Sequence, residues 1–175
     1  MVETMRLRKL KAEDAPFMLE WMHDSDVTKW MDTDFASRTL DDCLHFIENS
    51  DTETDIHRAI ADSATDRYMG TVSLKHINPK MSNAEFAITI RKDAMGTGCA
   101  RDAMKDIIRF AMNEMGLHTV YWYVNCANNR ALRFYDKNGY SRVEKLPVEG
   151  LDNMKYIFYS IRKDAEQLKT DHGDN

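Results

Sequence analysis

Long apolar runs are missing from this 175-residue sequence: no stretch approaches a membrane span, and the N-terminus lacks the apolar segment of a secretory signal. Cysteine is scarce. The three present, Cys43, Cys99 and Cys126, are odd in number and unpaired in spacing, which opposes both a disulfide framework and a structural zinc site. The six histidines are scattered, with no pair at ligand spacing on one helix, so no metal is expected. A basic excess is missing too: 24 Lys and Arg against 29 Asp and Glu give a net charge of −5, which argues against a general nucleic-acid binder. No internal repeat or low-complexity linker divides the chain. The expectation is a cytoplasmic protein with no membrane or nucleic-acid partner, built as one domain over residues 1–163 with a polar tail over 164–175.

What is present reads as alternating strands and helices. Met5 to Leu10 alternates as a short strand, and a helix is expected from Ala12 to His23, with Phe17, Met18, Trp21 and Met22 at helical spacing. Thr39 followed by Asp42 resembles a capping box opening a second helix, whose apolar stripe of Leu40, Cys43, Leu44 and Ile47 runs to about Asn49. Strands follow at His57–Ala61, Met69–His76 and Asn83–Ile90. In the last, Ala84, Phe86, Ile88 and Ile90 share one face, and Glu85, Ala87 and Thr89 the other. Because Ala87 is apolar, both faces are expected to be covered, which leaves Glu85 partly buried, an unusual place for a carboxylate. A helix is expected over Cys99–Met115 with Gly116 at its end, then a strand over Thr119–Val124, a helix over Asn128–Asn138, and two strands over Tyr140–Leu146 and Met154–Ile161. This order implies an α/β (α+β) sheet with helices on both faces.

The most telling segment is Met95-Gly96-Thr97-Gly98-Cys99-Ala100, which closes a strand and opens an amphipathic helix. Glycines let the backbone approach a ligand closely, and the free N–H groups of a helix start suit a pyrophosphate. A dinucleotide-binding unit is a poor fit, because Arg101 stands at the third glycine of Gly-x-Gly-x-x-Gly and Asn125-Cys126 at the position of the expected acid. A P-loop would need Gly-Lys-Ser/Thr, which is absent. Downstream lies Asn128-Asn129-Arg130-Ala131-Leu132-Arg133-Phe134-Tyr135-Asp136-Lys137-Asn138-Gly139-Tyr140.

Together these two blocks resemble the GNAT N-acetyltransferase superfamily. The first block is similar to its Gln/Arg-x-x-Gly-x-Gly/Ala loop, and the second to its Asn-x-x-Ala-x-x-x-Tyr-x-x-x-Gly-Phe segment. The likeness covers almost the whole chain and is nearest in flavour to the branch of ribosomal-protein N-terminal and spermidine-type acetyltransferases. One departure is Met95, where the family has Gln or Arg, so a side-chain contact is lost while the backbone contribution remains.

The resemblance implies a GNAT-like mixed, largely antiparallel sheet with helices on both faces. It also implies an N-acetyltransferase that uses acetyl-CoA as co-substrate without a metal. The acceptor would be a primary amine of a small molecule or a peptide N-terminus, and a homodimer is compatible with it. The cofactor-binding set so implied is Ile88, Thr89 and Ile90 along the pantetheine arm, Met95, Gly96, Thr97, Gly98, Cys99 and Ala100 around the pyrophosphate, and Asn128 and Arg130. An alkyl amine near pKa 10 is about one part in a thousand neutral at pH 7, so a general base is needed. Glu85 is the candidate base and Tyr135 the candidate acid for the departing thiolate. Against these stand structural roles: an ion pair for Glu85, core packing for Tyr135, a helix cap for Asn128 and a solvated surface charge for Arg130. Trp21, Trp30, Phe35, Tyr121 and Tyr123 are candidates to line an acceptor pocket between the first two helices and the last two strands. Asp24, Asp26, Asp32 and Asp34 form an acidic loop beside it. The alternative is a degenerate GNAT domain that binds acyl-CoA or a protein partner without turnover.

Overall fold

The computed structural model describes residues 4–164, so residues 165–175 of the expected tail lie outside the described residues. Seven strands form one sheet in the order β1-β2-β3-β4-β5-β7-β6. They are β1 (Met5–Arg8), β2 (Ile56–Asp62), β3 (Tyr68–Asn78), β4 (Asn83–Ile90), β5 (Thr119–Asn125), β6 (Arg142–Val143) and β7 (Tyr156–Arg162). Every neighbouring pair is antiparallel except β4 and β5, which run parallel. The largely antiparallel sheet with helices on both faces is the architecture expected from the sequence.

One face carries α4 (Cys99–Arg109) and α5 (Asn129–Lys137). Ala103, Met104 and Ile107 of α4 pack there on Val72, Leu74 and Phe86 of the sheet. The other face carries α1 (Ala15–Met22) and α3 (Leu40–Glu48), joined through the single turn α2 (Ser25–Thr28). Met18, Trp21 and Cys43 cluster with Ala59 and Tyr68 beneath them. Buried polar atoms on this face are paired: Trp21 Nε1 donates to the Tyr68 hydroxyl (3.0 Å), which lies 2.7 Å from Thr71 Oγ1.

Local chemistry explains most element boundaries. The Thr39–Asp42 capping box is present, Asp42 N donating to Thr39 Oγ1 (3.2 Å) and Thr39 N to Asp42 Oδ2 (2.8 Å). The helix expected over Ala12–His23 divides into a 3₁₀ turn at Ala12–Asp14 and α1, because Pro16 lacks an N–H and belongs in a first turn. The helix expected to Met115 ends as α-helix at Arg109 and widens into a π turn over Phe110–Glu114. Gly116 closes it at φ +72°. The strand expected over Tyr140–Leu146 shrinks to the two residues of β6, since Tyr140 turns its ring into the core and Pro147 follows Leu146. Gly70 of β3 sits where a Cβ would lie 2.3 Å from the Thr89 carbonyl, so only glycine lets β3 close on the end of β4.

Candidate active site

β4 carries the sheet to a glycine loop. After the strand and a 3₁₀ turn at Lys92–Ala94, Gly96 (φ +83°) and Gly98 (φ +90°) reverse the chain, and α4 begins at Cys99 with Gly98 as its cap. Both φ values lie in the left-handed region, which residues with a Cβ avoid. The first helical bond runs from Asp102 N to the Gly98 carbonyl (3.3 Å). The amides of Gly96, Gly98, Ala100 and Arg101 therefore have no acceptor among the described residues. A Cβ built on Gly96 would meet nothing within 4 Å, so the loop's outer surface is open. Thr97 is exposed and its hydroxyl donates to the Ala94 carbonyl (2.7 Å). Cys99 is 2 % exposed. Clustered amides at the positive end of an eleven-residue helix form an anion cradle fit for a diphosphate.

The second feature is a gap in the sheet. β4 and β5 pair only from Asn83 opposite Thr119 to Glu85 opposite Tyr121. Beyond Glu85 the strands part, and the edge of Phe86–Ile90 toward β5 has no strand partner, whereas β3 covers the opposite edge throughout. Five residues give about 17 Å of free backbone edge, able to pair with an extended ligand as with an added strand. The edge includes Ile88, Thr89 and Ile90 and ends at the glycine loop.

Two candidate chemical groups flank the start of the gap from opposite faces. Glu85 is 7 % exposed, on the α1/α3 face as the alternation implied. One carboxylate oxygen lies 2.9 Å from Lys75 Nζ and the other 3.5 Å from His76 Nε2. Burial, then the Glu85 charge, raise the neighbouring Tyr121 phenol to about 12, and the Tyr123 phenol is raised for the same reasons. Tyr135 lies on the α5 face, 6 % exposed. Its ring sits 5.3 Å from that of Trp122, which is itself 5.5 Å from Phe86, the first β4 residue past the split. The Tyr135 hydroxyl makes no hydrogen bond among the described residues. It is not sealed either: Trp122 Nε1 is the single fully buried, unpartnered side-chain polar atom found there. Burial, then the adjoining Tyr159 and Tyr140 rings, hold the Tyr135 phenol well above its ordinary value.

Asn128 caps α5, its Oδ1 accepting from Ala131 N (3.2 Å), so the structural role is realised while its Nδ2 stays available. Arg130 is exposed on the same first turn, and Met95 is half-buried. Arg101, which sequence reasoning passed over, places its Nη2 3.7 Å from the Cβ position of Gly98. A basic residue in the first turn after a glycine loop was the available signal.

A cleft of about 500 Å³ opens on the α1/α3 face. Asp42, His45 and Phe46 of α3 line it, with Arg38 just before the helix and Asn49 at its C-terminal cap, over a floor of His57, Ser73 and Ala87, which are in register across β2, β3 and β4. His57 Nδ1 lies 2.7 Å from Ser73 Oγ, and the ring packs 4.5 Å from that of Phe46. Trp21 and Phe35 line the cleft. Trp30, Tyr121 and Tyr123 do not, and the floor comes from β2–β4 rather than from the last two strands. Cys126 is exposed. Among the described residues no group of three or more His, Cys, Asp or Glu side chains is arranged to hold a metal, and no helix is long and apolar enough to cross a membrane.

Residues 4–141 match the sequence profile of the acetyltransferase (GNAT) domain. The chain is 26% identical over 162 residues to the spermidine N(1)-acetyltransferase of Escherichia coli K12, across 87% of this chain and 81% of that one. Its fold superposes with a TM-score of 0.79 on the Vibrio cholerae spermidine N-acetyltransferase solved with CoA and spermine, at 20% identity over 94% and 98% of the two chains. A structure of the Vibrio enzyme described as dodecameric superposes with a TM-score of 0.73, at 20% identity over 95% and 98%.

Proposed function

This chain belongs to the GNAT acetyltransferase family, whose reaction is acetyl transfer from acetyl-CoA to an amine, and from that premise we propose that Glu85 and Tyr135 carry the proton transfers. In this reading the amides of Gly96, Gly98, Ala100 and Arg101 hold the diphosphate, and Arg101 and Arg130 add positive charge beside it. The edge of Phe86–Ile90 takes the pantetheine arm as an added strand, with Ile88, Thr89 and Ile90 as its backbone partners. The thioester then lies in the gap between β4 and β5, and a main-chain N–H there can stabilise the carbonyl oxygen as it gains charge.

The acceptor amine enters from the α1/α3 cleft beside the Lys75–Glu85 pair. Glu85 removes a proton from the ammonium, directly or through one water. The nitrogen lone pair forms the C–N bond at the acetyl carbon, and the C–S bond breaks with its electrons going to sulfur. From the opposite face, Tyr135 donates its phenolic proton to that sulfur, and the second proton of the attacking nitrogen leaves to solvent, from which the phenolate is reprotonated. The burial that raises the Tyr135 phenol acts on a thiolate in the same gap, so both proton affinities rise together and a hydrogen bond between them is retained. Asn128 Nδ2 orients the arm near the thioester. Residues 1–163 are read as one catalytic domain followed by a polar stretch of sequence, and self-association of this domain fits the oligomeric relative.

The observation that supports this reading most strongly is the placement of Glu85 and Tyr135 on opposite faces of the split that leads to the glycine loop. The test is acetyl-CoA-dependent thiol release by the purified chain over a panel of primary amines and N-terminal peptides. Acceptor-dependent thiol release, abolished together in Glu85→Gln and Tyr135→Phe at neutral pH, is expected. Saturable acetyl-CoA binding without acceptor-dependent thiol release would instead mark a domain that binds and does not turn over.

A further inference from the structure

We infer that the acceptor is a small primary monoamine with an apolar body rather than a polyamine; this rests on the reading that the α1/α3 cleft receives the acceptor. A polyamine brings two or more ammonium groups, and each one taken from water needs a carboxylate to offset its desolvation. The cleft wall supplies one carboxylate, Asp42, and one of its oxygens is already accepting both the Thr39 amide and the Thr39 hydroxyl. The same lining holds two basic side chains, Arg38 and Lys75, the latter paired with Glu85. Around them the wall mixes apolar side chains, among them Met18, Met22, Phe35, Phe46 and Ala87, with the neutral hydroxyls and amide of Thr33, Asn49, Thr71, Ser73 and Thr89, which offer hydrogen bonds but no negative charge. Burial of the His57 imidazole lowers its proton affinity, so it adds a neutral hydrogen-bonding ring at neutral pH.

The acidic loop between the first two helices does not change this balance. Asp24 caps α2 and faces Lys92 (3.8 Å), Asp26 pairs with Lys92 (2.9 Å), Asp32 binds Lys155 (2.8 Å) and the Tyr156 hydroxyl, and Asp34 accepts from Ser37 (3.3 Å). None of the four lines the cleft. Asp34 and Asp42 lie near enough to Arg38 to feel its charge, but neither closes an ion pair with it. Glu85 lies beyond the lining, behind its ion pair with Lys75, and serves the attacking amine in this reading; a second ammonium further along meets apolar side chains, neutral hydroxyls and amides, a guanidinium and, in Asp42, a carboxylate already held by Thr39. The cleft volume suits a ligand of small-molecule size.

The experiment compares hexylamine with 1,6-diaminohexane and spermidine, which differ in the distal charge while keeping the attacking amine. Binding to the CoA-loaded protein is read by calorimetry, and turnover by thiol release. The wild type is expected to favour hexylamine by about tenfold or more in both affinity and kcat/KM. Arg38→Glu, at an exposed position, should narrow or reverse that ratio by placing a carboxylate at the distal end. Equal or better binding of either polyamine by the wild type overturns the inference, as does a ratio that Arg38→Glu leaves unmoved or the absence of saturable binding by any of the three. Selective hexylamine binding without thiol release would uphold the inference and defeat the catalytic reading, so the two failures are separable.

Discussion

Replacing Tyr135 by Phe removes one oxygen and nothing else. The ring's packing against Trp122, Phe134, Tyr140 and Tyr159 depends on its faces and edges, which phenylalanine reproduces. The hydroxyl holds no hydrogen bond among the described residues, so no buried partner is left unpaired. The stability change should accordingly stay within about 0.5 kcal/mol, well below the 1–3 kcal/mol of an orphaned buried group. Turnover should fall much further, because a positioned general acid contributes about 10²- to 10⁴-fold. That is about 2.7–5.4 kcal/mol of barrier at 1.36 kcal/mol per tenfold. Urea unfolding gives the first quantity, thiol release under saturating acetyl-CoA the second, and calorimetry with CoA a third, expected to be unchanged. A variant with wild-type turnover would refute the reasoning. So would a large stability loss, because the missing turnover would then report unfolding.

Four further outcomes follow from named contacts. Glu85→Gln should shift the activity profile toward higher pH, where amines near pKa 10 lose their proton unaided; an unaltered profile removes Glu85 as base. Gly96→Ala forces a residue with a Cβ to φ +83°, which costs about 1–2 kcal/mol. It should lower Tm by about 2–8 °C and raise KM for acetyl-CoA, since the new methyl meets no protein atom and projects into the open side of the loop. Burial holds His57 below its ordinary value of 6.5, so the unfolded chain takes up that proton first as pH falls. Stability is then undiminished above about pH 6.5 and declines as pH drops toward the folded value, and His57→Gln should flatten this acid limb in urea titrations at pH 7 and pH 5. Asp14→Asn breaks a bidentate pair with Arg8 (2.7 and 2.9 Å) whose side chains are largely covered, and should cost about 3 kcal/mol by the same unfolding assay.

Legibility in the sequence followed the range of the interactions. Thr39 with Asp42, the alternation from Asn83 to Ile90 and the glycines at 96 and 98 each encode local geometry within a few residues, and each was readable. Pro16 was readable as a first-turn residue, and α1 does begin at Ala15. The one-turn α2 has too few residues for a period to show. The parting of β4 from β5 after Glu85 has no local signature, because it is a relation between two strands separated in sequence by the whole of α4. The same holds for the cleft floor, where His57, Ser73 and Ala87 meet only through strand register. Glu85 was legible as a buried carboxylate, but its Lys75 partner was not, although the two are direct cross-strand neighbours.

A crystal structure of the chain with CoA tests the central claim most directly. The account expects diphosphate oxygens about 3 Å from the amides of Gly96, Gly98, Ala100 and Arg101, the pantetheine paired along Phe86–Ile90, and the sulfur within reach of the Tyr135 hydroxyl. A diphosphate bound away from that loop, or a β4 edge closed by β5 in the complex, would contradict it.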